Sequence, residues 1–221
     1  MKESVSNNVK IKNLKSKNPE INDIIGIPNN PLIANINWSP NQKNIAFTNT
    51  SSDGVRLWVL NLESRSLTKL SDLKLNSNIG DVINWVNDNE IIVKVIPENK
   101  QNLIDQDGIV PMGPTISSNE GENAQNRTYQ DLLKNKTDEF NFEQLVTSDL
   151  YLINLNGKTQ KWLDADMYTT ISPSPDGNFI MVSNIKKPFS YIVTYGRFPR
   201  TTNIYNYEGK IISNLANTPL I

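Results

Sequence analysis

The residue types that usually carry covalent or metal chemistry are missing from this sequence. Its 221 residues include no histidine and no cysteine. The chain alone therefore cannot supply a Ser-His-Asp or Cys-His arrangement, an imidazole base or a histidine ligand for a metal. It also cannot supply a disulfide, a zinc knuckle, an iron–sulfur cluster or a thiol nucleophile. We expect the chain to have no catalytic residue, no cofactor and no metal site, and no activity by itself.

The overall charge gives no indication of a charged partner. Lys and Arg number 22 and Asp and Glu 23, which gives a net charge of −1. Nucleic-acid binding normally shows as a basic excess, so none is predicted. No stretch approaches the roughly 20 apolar residues of a membrane span, and Met1–Asn8 lacks the apolar core of a signal peptide. We expect neither a nucleic-acid nor a membrane partner.

A short motif recurs along the chain and predicts the elements that make up the fold. Trp38 and Trp85 lie 47 residues apart, each in an Ile-Asn-Trp strand that precedes a polar turn and a second apolar strand. A third copy follows at Ile171–Gly177, where Pro173 lies 135 residues after Trp38. The remaining step of 88 residues accommodates one more unit plus an insertion of about 40.

Each copy has the chemistry of a β-hairpin. Proline presets one backbone angle of the turn, Asp or Asn accepts local hydrogen bonds, and Gly closes it. Further strands with β-branched and aromatic residues follow each hairpin. They are predicted at Val55–Leu62, Leu67–Leu70, Asp149–Leu155 and Thr202–Tyr207.

Four strands every 40–50 residues or so are typical of a β-propeller blade. The predicted fold is all-β: a partial propeller of about three four-stranded blades plus the outer strands of another. A short helical insertion is expected near 128–146. A β-sandwich or barrel remains an alternative. The predicted units are the outer strands of a preceding blade in 1–34, a blade in 35–80, a blade in 81–163 with an insertion at 97–147, and a blade in 164–221 truncated at its C-terminus.

Two blocks of sequence carry a more specific resemblance. One is Gly113-Pro114-Thr115 followed by Arg-Thr-Tyr-Gln-Asp-Leu-Leu-Lys-Asn at residues 127–135. The other is Lys-Pro-Phe-Ser-Tyr-Ile-Val at 187–193 followed by Arg-Phe-Pro-Arg at 197–200. With the Ser-Pro-Ser-Pro-Asp-Gly turn at 172–177, they resemble the prolyl oligopeptidase superfamily of serine peptidases (S9), in its glutamyl endopeptidase-like subgroup. The resemblance spans about residues 35–220.

The resemblance implies a longer protein in which a propeller lies over a C-terminal α/β-hydrolase domain in cis. The propeller would gate and orient peptide substrates, while the catalytic residues would lie outside this chain, which has neither a histidine nor a Gly-x-Ser-x-Gly elbow. The alternative is a TolB-like, non-enzymatic propeller that acts as a protein-interaction scaffold. Both ends of the chain are expected to be truncation points, although a natural end at Pro219-Leu220-Ile221 is the other interpretation. The compartment stays open, with the bacterial periplasm or the exterior favoured for the longer protein.

Candidate substrate contacts follow from the resemblance. Three of the five arginines lie in the two blocks, namely Arg127, Arg197 and Arg200. If the longer enzyme prefers acidic side chains, a guanidinium is the expected partner of the carboxylate, with the Tyr191 hydroxyl in support. The alternative for each arginine is a structural link between a loop and a blade. The four tryptophans are expected to pack between blades rather than to stack on a ligand.

Overall fold

The computed structural model describes residues 6–12, 17, 21–105 and 132–220. Within them, three four-stranded antiparallel sheets follow one another along the chain, each with its strands in sequence order. The strands of the first sheet are β3 (Ile33–Trp38), β4 (Asn44–Ser51), β5 (Gly54–Asn61) and β6 (Ser66–Lys69). Those of the second are β7 (Ile83–Asn87), β8 (Glu90–Val95), β9 (Ser148–Asn154) and β10 (Thr159–Asp166). Those of the third are β11 (Tyr168–Pro173), β12 (Phe179–Ile185), β13 (Arg200–Asn206) and β14 (Ile211–Thr218).

These sheets are the blades of an open propeller, which confirms the predicted fold class. The first strands of neighbouring blades, β3, β7 and β11, lie beside one another, as strands around a propeller axis do. A two-stranded sheet of β1 (Ile11–Lys12) and β2 (Ile21–Asn22) precedes blade 1. It packs against the face of blade 1 that points away from blade 2. There Val9, Ile11 and Ile24 join one apolar cluster with Phe47 and Leu60. The described residues do not form a sandwich or a closed barrel.

Apolar layers between the blades hold the propeller together. One cluster joins Leu57 and Val59 of blade 1 to Ile91 and Val93 of blade 2. Because side chains alternate along a strand, the intervening residue Ile92 faces the other way and joins the cluster with blade 3. Blade 2 is thus covered on both faces, which explains why five of the six residues of β8 are buried.

Two tryptophans connect the blades, as the sequence predicts. The Trp85 indole donates to the main-chain oxygen of Asn37 in blade 1 at 3.2 Å. The Trp162 indole donates to the oxygen of Tyr207 in blade 3 at 2.8 Å. Trp38, by contrast, is 52% exposed, so its packing role is not seen among the described residues.

Antiparallel strands place the loops of every blade on two opposite faces. Connections between the second and third strands, and from one blade to the next, share a face that we call the helix face. The opposite face carries the hairpin turns. The turn at Gly177 shows why glycine is needed there: its φ is +71°, and a β-carbon would lie 2.8 Å from the Val86 oxygen. The third blade's turn therefore rests directly on the backbone of the second.

The helix face is formed mainly by two long connections. In blade 2, 96–147 joins β8 to β9, and its described part includes the helix α1 (Lys136–Val146). In blade 3, 186–199 joins β12 to β13 and contains a 3₁₀ turn at Tyr195–Arg197. The crossover 70–82 from blade 1 to blade 2 runs beneath them. The two motif blocks that carry the family resemblance both belong to these connections.

Candidate functional site

The helix α1 begins where its local sequence can satisfy its first amides. The Asn135 side chain accepts from the main-chain N–H of Asp138 at 2.8 Å, and the Asp138 carboxylate accepts from the N–H of Lys134 at 2.7 Å. Acidic residues in the first turn also suit the positive end of the helix dipole. The helix expected near 128–146 thus starts at Lys136. Residues 128–131 of the expected helical insertion lie outside the described residues.

The other end of α1 is fixed by the crossover. Asn76 is buried, and its amide donates to the carbonyl oxygens of Leu145 and Thr147, both at 2.9 Å. Asn78 adds a bond to the Leu145 oxygen at 2.8 Å. The last carbonyls of a helix have no hydrogen-bond donor inside the helix, and the side-chain amides of Asn76 and Asn78 provide these donors. A segment between blades 1 and 2 therefore caps the helix of the blade 2 insertion.

Aromatic rings attach α1 to blade 3. The ring of Phe142 lies edge-on to Phe189, with centroids 5.3 Å apart, and edge-on to Phe198 at 5.7 Å. Phe189 and Phe198 are stacked at 5.3 Å, and Tyr195 lies 6.2 Å from Phe142. Such geometries add to the stability gained by burial alone. The insertion of one blade thereby packs against the long connection of the next.

Polar contacts run along a second side of α1. The Tyr191 hydroxyl and the Lys136 ammonium both interact with the Glu139 carboxylate, which lies 3.0 Å from the Lys136 Nζ atom. These hydrogen bonds lower the pKa of Glu139, first through Tyr191 and then through Lys136. The hydrogen bond to Glu139 also raises the pKa of Tyr191. One turn further on, Glu143 pairs with Lys187 at 2.8 Å.

Three of the four predicted contact residues lie on the helix face. Tyr191, Arg197 and Arg200 all lie in the blade 3 connection or at its end, at the start of β13. Arg127 lies outside the described residues, so its position relative to the other three stays a prediction.

The three described candidates differ in environment. Tyr191 is 39% exposed and is engaged with Glu139. Arg197 is exposed at the end of the 3₁₀ turn. Arg200 is half-buried; its Nη2 atom donates to the Tyr195 oxygen at 3.4 Å, and its buried Nε atom has no hydrogen-bond partner among the described residues. Arg200 therefore combines a structural bond with spare donor capacity.

A buried lysine beneath this face was not predicted. Lys94 on β8 is 1% exposed, and its ammonium donates to the main-chain oxygen of Ile79 in the crossover. Burial lowers the pKa of Lys94 to about 8, against a smaller opposing effect of the Asp81 charge. The alternation of β8 could have revealed it, because Lys94 shares a strand face with buried Ile92.

The described residues show neither a metal-binding cluster nor a membrane-spanning helix. No group of three or more acidic side chains there is arranged to hold a metal ion. No helix in that part of the chain has the length and apolarity needed to cross a bilayer. The helix face remains the candidate functional surface.

Comparison with known proteins shows which proteins this chain is similar to. No family model matches the sequence. A probable chloroplastic glutamyl endopeptidase of Oryza sativa subsp. japonica is 36% identical over 205 residues, which are 88% of this chain and 22% of the rice protein. The Arabidopsis thaliana protein of the same name is 32% identical over 207 residues, 90% of this chain and 21% of that protein.

Over most of its length this chain is therefore similar to proteins named as glutamyl endopeptidases. It spans about a fifth of the length of these relatives. A solved prolyl endopeptidase structure aligns with 93% of this chain and 25% of its own, at 12% identity and a TM-score of 0.53. That likeness concerns the fold, and it agrees with the propeller segment that the sequence predicted.

Proposed function

We propose that this chain is the propeller portion of a serine peptidase of the glutamyl endopeptidase type. In the longer protein it would gate and orient peptide substrates for a C-terminal α/β-hydrolase domain in cis. The observation that carries the proposal is the 36% identity over 88% of the chain to a glutamyl endopeptidase. The missing histidine in this chain accords with a catalytic serine, aspartate and histidine supplied by another domain.

The division of the chain follows the same proposal. We take 1–34 as the outer strands of a preceding blade, 35–80 as one blade, 81–163 as a second with its insertion at 97–147, and 164–221 as a third. The insertion and the blade 3 connection are joined through Phe142 and Glu143. A gate that moves at this face would therefore move these two segments together.

Three described residues remain candidates for substrate contact: Arg197, Arg200 and Tyr191. Arg200 is a candidate to hold a carboxylate because its Nε donor has no partner among the described residues; since that atom is buried, the guanidinium would have to turn to present it. A guanidinium in such a position can form a two-point pair with an acidic side chain. The hydroxyl of Tyr191 already contacts Glu139, which favours a role in positioning α1. Arg127 stays a further candidate from the sequence.

The contact roles can be tested in the full-length gene product. If Arg197 or Arg200 reads an acidic side chain, its change to alanine lowers kcat/KM for a peptide with glutamate at the cleavage site about 10–100-fold. The same variant leaves cleavage of a matched glutamine peptide within about twofold. Arg65→Ala is the control, because Arg65 is exposed and contacts Asn22 at 2.7 Å near the opposite face. Equal losses on both peptides would contradict the contact role.

The sequence of the rest of the gene distinguishes the TolB-like alternative from the peptidase proposal. The peptidase requires a downstream Gly-x-Ser-x-Gly elbow followed by an aspartate and a histidine. A complete propeller with no hydrolase domain after it would replace the proposal with the scaffold function.

A further inference from the structure

The third side of α1 holds main chain rather than side chains. Asn141 and Gln144 are one turn apart, so both amides project from the same side of the helix. The Asn141 Oδ1 atom accepts the N–H of Ile104 at 2.8 Å, and its Nδ2 atom donates to the Ile104 oxygen at 2.9 Å. The Gln144 Oε1 atom accepts the N–H of Gln101 at 2.9 Å. A short stretch of the chain, Gln101–Ile104, is thus bound to the helix through its backbone.

This arrangement reproduces the pairing at a sheet edge. One carboxamide satisfies both the N–H and the C=O of a single residue, as a neighbouring strand would. Contacts of this kind recognise main chain and are largely independent of the side chains that the bound segment carries. The other two sides of α1 differ, since they depend on particular aromatic and charged partners.

The bound stretch contributes little besides these hydrogen bonds. Leu103 is 46% exposed and Ile104 44% exposed, so neither apolar side chain is buried by the contact. Each of these solvent-accessible hydrogen bonds contributes only modestly to stability, because water can satisfy the same donors and acceptors. Another extended main chain offering the same groups could therefore exchange with Gln101–Ile104 at small cost.

A cavity beside the amides provides room for a side chain. It has a volume of about 210 Å³ and is lined by Gln101 of the bound stretch and by residues that include Lys100, Glu143 and Gln144, so displacing the stretch opens it further. Its lining carries both charges and a carboxamide, which suits a polar side chain better than an apolar one.

From these contacts we infer that α1 carries a binding site for extended peptide main chain, formed by Asn141 and Gln144. The chain's own Gln101–Ile104 occupies it, and a peptide binds by displacing that stretch. The choice of a peptide as ligand rests on the proposed function. The amide pair would hold part of a substrate away from the reacting bond, without selecting its sequence.

The test removes the internal occupant and measures peptide binding. The Gln101→Pro/Ile104→Pro variant lacks the two main-chain N–H groups that donate to the Gln144 and Asn141 side chains. The probe is a fluorescein-labelled Ser-Ala-Ser-Ala-Ser-Ala peptide amide, followed by fluorescence anisotropy with the 221-residue chain. We expect its affinity to rise at least fivefold over the unchanged chain. Leu103→Pro is the matched control, since the Leu103 N–H has no partner among the described residues, and it should leave the affinity unchanged.

Two further measurements make the result specific. Adding Asn141→Ala and Gln144→Ala to the double-proline variant should return the affinity to the unchanged chain's value or below. A probe methylated at its main-chain nitrogens should bind at least tenfold more weakly than the parent probe. Circular dichroism and aromatic near-ultraviolet signals check that each variant stays folded.

The inference is overturned if the folded double-proline variant binds the probe no better than Leu103→Pro does. It is also overturned if the alanine changes or N-methylation leave binding unaltered. Labelling of a downstream catalytic serine tests the proposed function separately. Serine labelling without amide-dependent peptide binding would reject this site alone, whereas peptide binding without serine labelling would reject the peptidase proposal.

Discussion

The side-chain amide of Asn76 lies 2.9 Å from the carbonyl oxygen of Leu145 and donates a hydrogen bond to it. This single contact joins the blade 1 to blade 2 crossover to the end of a helix that belongs to the blade 2 insertion. The same helix packs on blade 3 through Phe142. The helix face is therefore held by contacts from three successive parts of the chain.

Changing Asn76 to aspartate tests this cap. The substitution keeps the shape but places carboxylate oxygens against the Leu145 and Thr147 carbonyls, in a site that is 2% exposed. We expect the free energy of unfolding to fall by about 2–4 kcal/mol, because the donors are lost and a charge is buried. Urea denaturation measures the change.

The control for that change is Asn156→Asp. The Asn156 side chain lies in an exposed turn and accepts from the N–H of Lys158 at 3.0 Å. Aspartate can accept in the same way, so the expected effect is within about 0.5 kcal/mol. Equal losses for the two substitutions would argue against the cap.

Substitutions at two glycines can distinguish the cost of backbone strain from the cost of a steric clash with a neighbouring blade. Gly80 has φ +58°, and a β-carbon there would lie 2.0 Å from the Thr169 oxygen in blade 3. Gly157 has φ +86°, but its nearest atom would be the Leu70 oxygen at 3.5 Å. Gly157→Ala should therefore cost only the left-handed strain, about 1–2 kcal/mol. Gly80→Ala should cost at least about 2 kcal/mol more in thermal or urea unfolding, since the crossover must move away from blade 3. Similar costs would contradict the close contact.

The buried Lys94 predicts a pH dependence of stability. Its pKa is about 8 in the folded chain, lowered by burial from an ordinary value of 10.5. The unfolded chain therefore binds more protons between these values, and stability rises with pH across that window. The charge costs about 3 kcal/mol below pH 8, and this cost disappears above pH 10.5.

Lys94→Met isolates that contribution from other titrating groups. At pH 7 we expect the variant to be more stable than the unchanged chain by about 1–3 kcal/mol, since the lost bond to the Ile79 oxygen offsets part of the gain. The advantage should shrink as pH rises from 8 to 10.5. Urea denaturation across this range measures it, with the exposed Lys158→Met as control. A stability difference independent of pH would contradict a charged, buried Lys94.

The outer strand of blade 3 predicts self-association of the isolated chain. All eight residues of β14 are exposed, Ile211, Ile212 and Leu215 among them. An uncovered edge with apolar side chains pairs readily with other strands. Sedimentation velocity should show oligomers that increase with concentration, and Leu215→Lys should reduce them. Asn156→Lys, which adds the same charge in a turn, should leave them. A monodisperse monomer at all concentrations would contradict the prediction.

The sequence predicted what short-range chemistry determines. The turns at Asp53-Gly54 and Asp176-Gly177 and the alternating strands beside them indicated the blades, since each depends on neighbouring residues alone. The helical insertion expected near 128–146 is present as α1 among the described residues, and Asn135 and Asp138 have the spacing of a helix start. Strand alternation could have placed Lys94 on the buried face of β8, but its partner, the Ile79 oxygen, lies in the crossover and could not be predicted locally.

For the candidate contact residues, too, the sequence predicted the position along the chain but not the tertiary contacts. The motif blocks located Tyr191, Arg197 and Arg200 on one connection, but their partners could not be predicted. Tyr191 of the blade 3 connection contacts Glu139 of the blade 2 insertion, and Asn141 binds Ile104 at a separation of 37 residues. Such pairs are set by tertiary packing between segments far apart in sequence, which no local pattern encodes.

The most direct test of the peptidase assignment is active-site labelling of the full-length gene product with a fluorophosphonate probe, followed by peptide mapping. The account predicts one labelled serine, located in a segment after these 221 residues, and loss of the label when that serine is changed to alanine. A folded full-length product that takes up no label, or that is labelled within this chain, would contradict it.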